Sequence, residues 1–176
     1  MLSPPSVIGW GEGMTMHAQR GAVLIISLVF LLLLTLLATS SMQNATLQEK
    51  VAGSLTQRNA SFQSAETALR IAEAKILSPI FALPACSTPA HCLPPPEALS
   101  LSGSGTSVPS GIDWVKTSGG YYGVQHVGET DQPAGGGGDQ IWRLYRVTAI
   151  GIAGHSRTVL ESMHTQAGRV MWRQRQ

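Results

Sequence analysis

The chain opens with one long apolar run. Ala22 to Ala38 contains almost only aliphatic residues, and no charged residue occurs from Gly21 to Gln48. With its flank to Met42 the run reaches the length of about 20 residues that spans a bilayer as a helix. Arg20 stands directly before it, so the positive-inside rule predicts that the preceding segment stays in the cytoplasm and the rest is exported.

The apolar pattern continues beyond the membrane-spanning stretch with a helical period. Glu66 and Arg70 add a favourable i,i+4 pair, and Ser78-Pro79 ends the pattern because the residue before proline leaves the α region. Gly53 is a weak point or bend. Apolar residues recur at spacings of three, four or seven, typical of one helix face: Leu47, Val51, Leu55, Phe62, Ala65, Leu69, Ala72 and Ile76. We therefore predict one helix of about 55 residues, about 80 Å long; the alternative is an anchor followed by an unrelated amphipathic helix.

Three interpretations of the apolar run remain open. Ala38 and Ser40 give a small-x-small site for a secretory signal peptidase, although the run exceeds the usual length of such a signal. A plain single-pass anchor is the second interpretation. The third is a prepilin signal, in which cleavage after Gly21 leaves the apolar helix in the mature protein. The amphipathic continuation favours the third.

The second half of the chain predicts a small sheet. Strands are expected over Tyr121 to Val127, Trp142 to Ile152 and Thr158 to Thr165, with a turn over Gly151 to Ser156 and a flexible loop over Asp131 to Asp139. The apolar residues of the second strand share no strict period, which indicates a bulge or burial on both faces. The predicted fold class is α+β, with the amphipathic half of the helix packed on an antiparallel sheet.

Composition narrows the chemistry. Hydrophobic residues make up 43% of the chain and charged residues 12%. This imbalance indicates that part of the chain is not in water. The net charge of +2 is too small to favour nucleic acid. The histidines show no metal-ligand spacing and no nucleophile elbow occurs, so we predict neither an enzyme nor a cofactor.

Two cysteines, Cys86 and Cys92, stand with five residues between them. A single pair favours a disulfide formed in an oxidising compartment, and a weak metal site that includes His91 is the alternative. The basic tail from Arg169 to Arg175 is interpreted as a solvated or frayed terminus, with a small contact to DNA or an anionic surface as the alternative.

The segment from Gln19 to Glu73 closely resembles the N-terminal region of PilX-type minor pilins. The looser C-terminal resemblance is carried by Tyr145 to Ala149 and Val159 to Ser162. The residues that carry the N-terminal resemblance are Arg20-Gly21, Met42-Gln43, Leu47 to Lys50, Ala52-Gly53, Arg58-Asn59 and Ala65 to Arg70. The resemblance implies a pilin fold, cleavage by the prepilin peptidase after Gly21, and N-methylation of the new terminus, Ala22.

One residue departs from the family pattern. Most pilins carry glutamate at the fifth mature position, where this chain has Ile26. In most pilins this carboxylate is thought to pair with the N-terminal ammonium of a neighbouring subunit, because a buried charge is costly unless it is paired. A subunit without the carboxylate is therefore expected at a filament end, where one neighbour is missing. The K-type minor pseudopilins of type II secretion share the feature. Subunit assembly is predicted to use Ile26, Leu47, Val51, Leu55, Phe62 and Leu69.

The leader is longer than usual for a prepilin. Met16 would give a six-residue leader, and Gly11-Glu12-Gly13 has the composition of a translated ribosome-binding sequence upstream of Met14 or Met16. We therefore expect the segment that precedes Met14 or Met16 to reflect a misassigned start. The predicted organisation is a leader (1–21), a membrane and filament-core helix (22–42), its amphipathic continuation (43–78), a Pro/Ser/Gly-rich connection (79–118), an antiparallel sheet (119–167) and a basic tail (168–176).

The resemblance implies a function and a set of partners. The chain is expected to be a minor pilin that primes type IV pilus assembly or sits at the tip, and supports motility and adhesion. Its partners would be other minor pilins, the major pilin, the prepilin peptidase, the inner-membrane assembly platform and a tip adhesin. It would reside in the inner membrane with a periplasmic C-terminal domain, and later in the pilus. The alternatives are a K-type pseudopilin, or a periplasmic binding module released by signal peptidase.

Overall fold

A computed structural model describes residues 17–133 and 140–175, with side chains from residue 21 onward. The expected leader up to Met16 and the glycine loop Gly135 to Gly138 lie outside the described residues. The chain divides into two units, Met1–Lys50 and Val51–Gln176.

One helix, α1, extends over His17–Ile76. It begins five residues before the predicted start at Ala22 and ends two residues before Ser78. In the N-terminal unit every residue from 21 to 50 is exposed. The Gly21–Ile76 part of the helix is long and apolar enough to cross a membrane, with a mean hydropathy of 2.9 over its most apolar window.

The second unit contains the rest of α1 and an antiparallel sheet. Two short 3₁₀ turns, Ala90–Cys92 and Pro96–Leu99, precede the sheet in the chain. In the described part of the chain, six strands follow one another in chain order across the sheet. They are β1 (Gly105–Thr106), β2 (Asp113–Thr117), β3 (Gly120–Thr130), β4 (Trp142–Ala153), β5 (Ser156–Thr165) and β6 (Gly168–Arg175).

The three predicted strands correspond to β3, β4 and β5, each slightly longer than expected. The register of β3 on β4 shifts between His126 and Gly128, and Gly128 pairs with Leu144. The turn after β4 contains Gly154, whose φ of 56° lies in the left-handed region that suits glycine. Gly151, expected in that turn, lies inside β4 instead.

The face of the sheet toward α1 carries the larger apolar core. Ala65, Leu69 and Ala72 of the helix are fully buried there against alternate residues of the strands. Those strand residues include Tyr122, Tyr145, Val147, Ala149 and Leu160. The helix supplies the apolar surface that a sheet of this size lacks on its own.

The opposite face, which we call the outer face, is also covered. Ile150 and Val159 pack there with Trp114 of β2 and with Ala98 and Ile112 of the connection. Adjacent residues of β4, such as Ala149 and Ile150, are therefore both buried. This two-sided burial explains why β4 shows no strict alternation in the sequence.

A glycine sets the distance between helix and sheet. A Cβ on Gly151 would overlap the carbonyl oxygen of Ser61 and the backbone nitrogen of Ala65. The hydroxyl of Ser61 lies 2.8 Å from that of Thr158 and 3.1 Å from that of Ser156. The start of the packed part of the helix thus rests directly on the strand backbone.

Two sequence predictions need correction. The sequence predicts an irregular connection over residues 79–118, but this segment contains β1 and β2, and Trp114 of β2 is 1% exposed. The sequence also predicts a frayed basic tail, but the tail forms β6, paired with β5 from Val159↔Arg175 to Thr165↔Gly168. Both segments are ordered because they pair with other strands. The composition of the segments does not reveal that pairing.

Candidate functional site

The residues predicted for processing lie on the exposed helix of the N-terminal unit. Gly21 and Ala22 are inside α1 and both are exposed. Ile26 is 62% exposed and Leu47 59% exposed. Nothing within 4 Å would contact a Cβ built on Gly21. These side chains are therefore accessible to a processing enzyme or to neighbouring helices.

The other predicted assembly residues differ in their exposure. Val51 and Leu55 are exposed, at 59% and 52%, whereas Phe62 is half-buried with its ring 6.3 Å from that of Trp172. Leu69 is fully buried in the core of its own subunit. The prediction that Leu69 takes part in subunit contacts is therefore wrong, because its surface is already used by the sheet.

The predicted disulfide is confirmed, since Cys86 and Cys92 are bonded with their Cα atoms 5.4 Å apart. His91, the third member of the alternative metal site, has its Nδ1 3.3 Å from the Ser87 hydroxyl. Within the described residues no group of three metal-ligating side chains is brought together. The disulfide therefore closes a short loop within the connection.

Polar side chains of the sheet fasten the disulfide-bearing connection to the outer face. Gln125 Nε2 donates to the carbonyl oxygens of His91 at 2.6 Å and Leu93 at 3.2 Å. Arg146 Nη1 donates to the Cys92 carbonyl at 2.6 Å. Because charged donors form stronger hydrogen bonds than neutral ones, Arg146 is the stronger of these anchors.

Further along the connection, other strand side chains repeat the arrangement. Arg157 donates to the carbonyl oxygens of Ala98 and Leu101 at 3.2 and 2.7 Å. Arg175 Nη1 donates to that of Pro95 at 2.8 Å. Arginine side chains thus satisfy these three backbone carbonyl groups of the connection, which precede β1.

Glu97 ties the connection to β2. Its carboxylate accepts hydrogen bonds from the Ser110 hydroxyl and, at 3.3 Å, from the Trp114 indole. Burial by itself would raise the pKa of Glu97, but the hydrogen bonds from Ser110, its own backbone, Ser107 and Trp114 outweigh burial and lower it. Glu97 is therefore ionised at neutral pH and acts as a structural acceptor.

A second carboxylate joins α1 to the last strand. Glu73 is 7% exposed and accepts from the Ser162 hydroxyl at 2.6 Å. Arg169 of β6 binds it with two hydrogen bonds, of 2.9 and 2.6 Å. Burial would raise the pKa of Glu73, but the hydrogen bonds from Arg169 and Ser162 and the charge of Arg169 lower it below its usual value.

A third carboxylate, Glu161 on β5, is 3% exposed on the outer face. Arg173 binds its Oε2 at 2.9 and 2.7 Å, and Arg175 lies 3.2 Å from its Oε1. Sequence reasoning missed these pairs. The available signal was Glu161 on a predicted strand, which the two tail arginines could meet if the tail returned as a hairpin.

The histidines on strands do not approach each other. His126 and His164 both stand opposite Tyr145 in register, so β4 separates them. The His126 ring lies 5.2 Å from the Tyr145 ring, and its Nδ1 is 3.1 Å from the Leu83 carbonyl oxygen.

An open cavity of about 530 Å³ lies where the connection passes the edge of β3. Phe81, Leu83, Val115 and Val124 contribute apolar walls, and Lys75 Nζ lies 5.1 Å from the centre of the Tyr122 ring.

Comparison with protein families finds a match for the N-terminal region. Residues 20–70 match the family model described as PilX N-terminal. The match supports a PilX-type minor pilin of the type IV pilus, and it covers the N-terminal region alone. Comparisons with curated proteins and with solved structures found no match.

Proposed function

With the N-terminal region of a PilX-type, type IV pilus-related pilin as the premise, we propose that this chain is a minor pilin that takes part in pilus assembly. It would act in a priming or tip complex and support pilus-dependent motility and adhesion. One observation carries the proposal above the others. The helix that holds the family match is apolar and uncovered in its first half and packs on an antiparallel sheet in its second.

The uncovered half of the helix requires an apolar environment from outside the chain. Its aliphatic side chains from Val23 to Leu37 are about half to two thirds exposed. A charge-free helix of this kind is stable in a bilayer, and later among other apolar helices in a filament. We therefore infer an inner-membrane subunit with its sheet in the periplasm, which passes into the pilus together with other minor pilins and the major pilin.

Maturation by the prepilin peptidase is the second part of the proposal. Cleavage after Gly21 would make Ala22 the new terminus, and methylation would follow there. The exposure of both residues supports access by the enzyme. The cleaved bond lies before the apolar segment, so the membrane helix is kept.

Ile26 supports a position at the filament end. The aliphatic side chain offers no carboxylate to the terminal ammonium of a neighbour, so that neighbour's charge would stay unpaired in the apolar core. An end position avoids this cost. The same feature supports the K-type pseudopilin of a type II secretion system as the second candidate.

The connection offers a surface for partners at that end. Ile80 and Val108 are each 91% exposed, and Leu93 is 62% exposed. The disulfide and the arginine anchors hold the part of this surface around Leu93, which lies between Cys86 and Leu101. We assign it to contact with other minor pilins, the assembly platform or a tip adhesin, and we propose no enzymatic activity and no cofactor.

A deletion strain tests the function. Removal of the gene is expected to reduce surface pili at least about tenfold, and a plasmid copy is expected to restore them. Unchanged piliation combined with lost protein secretion would instead support the pseudopilin. Normal piliation and normal secretion would contradict both candidates.

Labelled protein tests the end position. Wild-type subunits should be found at pilus ends, and Ile26→Glu should spread label along the shaft. Ile25→Glu is the matched control, because it places the same carboxylate one residue out of register. Wild-type label along the shaft would contradict the end position.

A further inference from the structure

Two arginines bind one carboxylate on the outer face, and a third arginine lies beside them. Glu161 is the carboxylate, and Arg173 and Arg175 of β6 occupy its two oxygens. Arg146 of β4 belongs to the same cluster, because it lines a small cavity together with Glu161 and Arg173. With three guanidinium groups against one carboxylate, the cluster has an excess of two positive charges, in a chain whose whole net charge is +2.

Arg146 is the member without a carboxylate hydrogen-bond partner among the described residues. Its Nη1 donates to the Cys92 carbonyl at 2.6 Å and to Gln125 Oε1 at 3.4 Å, and both acceptors are neutral. Burial, opposed by Glu161 and assisted by Arg173 and Arg175, lowers the pKa of Arg146. A guanidinium has five N–H donors in a fork that matches a carboxylate. The donors that these two bonds do not use can bind an incoming anion.

Arg146 is one of the residues beside a small, mostly apolar cavity of about 190 Å³. The cavity is lined by Arg146, Glu161, Ser162, Met163, Met171 and Arg173. The two methionines give it adaptable apolar walls. A ligand that fits has a short aliphatic stem, which packs between the methionines, and a carboxylate, which meets the unneutralised arginine.

We propose that this cavity binds the side chain of a glutamate carried by a neighbouring subunit. The identity of the donor as another pilin rests on the proposed function, whereas the chemistry of the cavity does not. The charge excess selects an anion, and the methionines select an aliphatic carboxylate over a bare inorganic oxyanion. The bound carboxylate would neutralise Arg146 without displacing its bond to the Cys92 carbonyl, and would join the partner to the disulfide-bearing connection.

Methyl NMR of the full chain in detergent micelles tests the cavity. With ¹³C-methyl methionine, butyrate is the probe because it reproduces the glutamate side chain. The Met163 and Met171 signals should shift saturably with butyrate, and Met42 should not move. Butyramide, the neutral equivalent, should leave all three signals in place. Equal responses to butyrate and butyramide, or tighter binding of inorganic phosphate than of butyrate, would overturn the proposal.

Three variants separate binding from folding. Arg146→Gln should weaken butyrate binding about tenfold, the factor expected for loss of one charge-assisted contact. Arg143→Gln, an exposed arginine of the same strand, should leave it unchanged. Because Arg146→Gln also removes an anchor of the connection, Met171→Glu provides a further variant. Its tethered carboxylate should occupy the site and abolish the Met163 response in a folded protein; a full response there would overturn the proposal.

A cross-linking experiment in cells tests the source of the carboxylate. A photoreactive residue at Met171 should capture another pilin beside one of its glutamates, and Arg146→Gln should remove that product. Capture beside a segment without glutamate would overturn the assignment. If butyrate binds the purified chain but cells form normal pili without it, the cavity is established and the proposed function is refuted. The two failures are therefore distinguishable.

Discussion

Apolar side chains of the same helix have opposite surroundings before and after Ser61. From Val23 to Leu55 they are exposed along the whole helix, whereas Ala65, Leu69, Ala72 and Ile76 are completely buried. The sequence pattern is apolar in both stretches. The difference lies in where the complementary surface is: the later stretch packs on its own sheet, and the earlier one needs a membrane or a neighbour.

The largest expected effect is at the closest contact of the packed region. The new side chain of Gly151→Val would overlap the backbone of Ser61 and Ala65. It should therefore destabilise folding by about 4 kcal/mol or more. In the exposed stretch, where nothing lies within 4 Å of a Cβ on Gly53, Gly53→Ala should stabilise by about 1 kcal/mol. Denaturant unfolding followed by tryptophan fluorescence measures both. Equal effects of the two substitutions would contradict the proposed difference between the packed and the exposed stretches of the helix.

A pair of leucines tests the comparison next. Leu69→Ala leaves a cavity in the core, so it should cost about 3 kcal/mol of folding stability. Leu47 lies in the exposed stretch, and Leu47→Ala should change stability by about 0.5 kcal/mol at most. The same unfolding experiment applies. Leu47→Ala should nevertheless reduce pilus number in cells, and normal piliation would remove Leu47 from the assembly surface.

The disulfide should have an intermediate effect. Cys86 and Cys92 close a short loop within the connection. Replacing both by serine should cost about 2 kcal/mol, the size expected from chain entropy for so short a loop. The loss should be confined to the second unit. Proteolysis should then cleave the connection earlier in time than the sheet. Cleavage that begins within the sheet would show that the bond supports the core instead.

The smallest effect concerns the join between α1 and β6. In Glu73→Gln, Arg169 loses its carboxylate partner but remains partly hydrated. The substitution should cost about 1.5 kcal/mol, because the charge-assisted bonds of the buried carboxylate are lost while Arg169 stays partly exposed. The pair of Glu66 with Arg70 is more exposed, so Glu66→Gln should cost about 0.5 kcal/mol or less. Midpoints of urea unfolding measure the two, and an equal cost would remove the distinction between the buried and exposed carboxylates.

The pH dependence follows from the lowered pKa of Glu73. Its stabilisation is fully present above about pH 4.3, the pKa of a glutamate in an unfolded chain, and is lost as the pH falls through the lower folded pKa. Glu73→Gln should therefore flatten the acid limb of the stability curve. An acid limb identical to that of wild type would show that other carboxylates determine it.

The sequence predicted the elements whose signal is local. The long apolar run, the helical period from Phe62 to Ile76 and the strand character of β3, β4 and β5 all appear as predicted. The disulfide was also predicted, since a single cysteine pair offers few soft ligands for a metal site.

The missed elements depend on distant partners. β6 exposes most of its side chains, so its arginines resemble those of a solvated tail. Their partners are Glu161, 12 and 14 residues away, and Glu73, 96 residues away. The anchoring of the connection likewise joins carbonyl groups to side chains such as Arg146, 54 residues away. No periodicity encodes such pairs.

The processed terminus of the protein purified from membranes tests the central claim most directly. The mass of its N-terminal peptide should correspond to a chain that begins with methylated Ala22, with the uncovered helix kept for the membrane and the filament. A terminus near Ser41 would show that the apolar helix is removed as a signal peptide, and it would contradict the account.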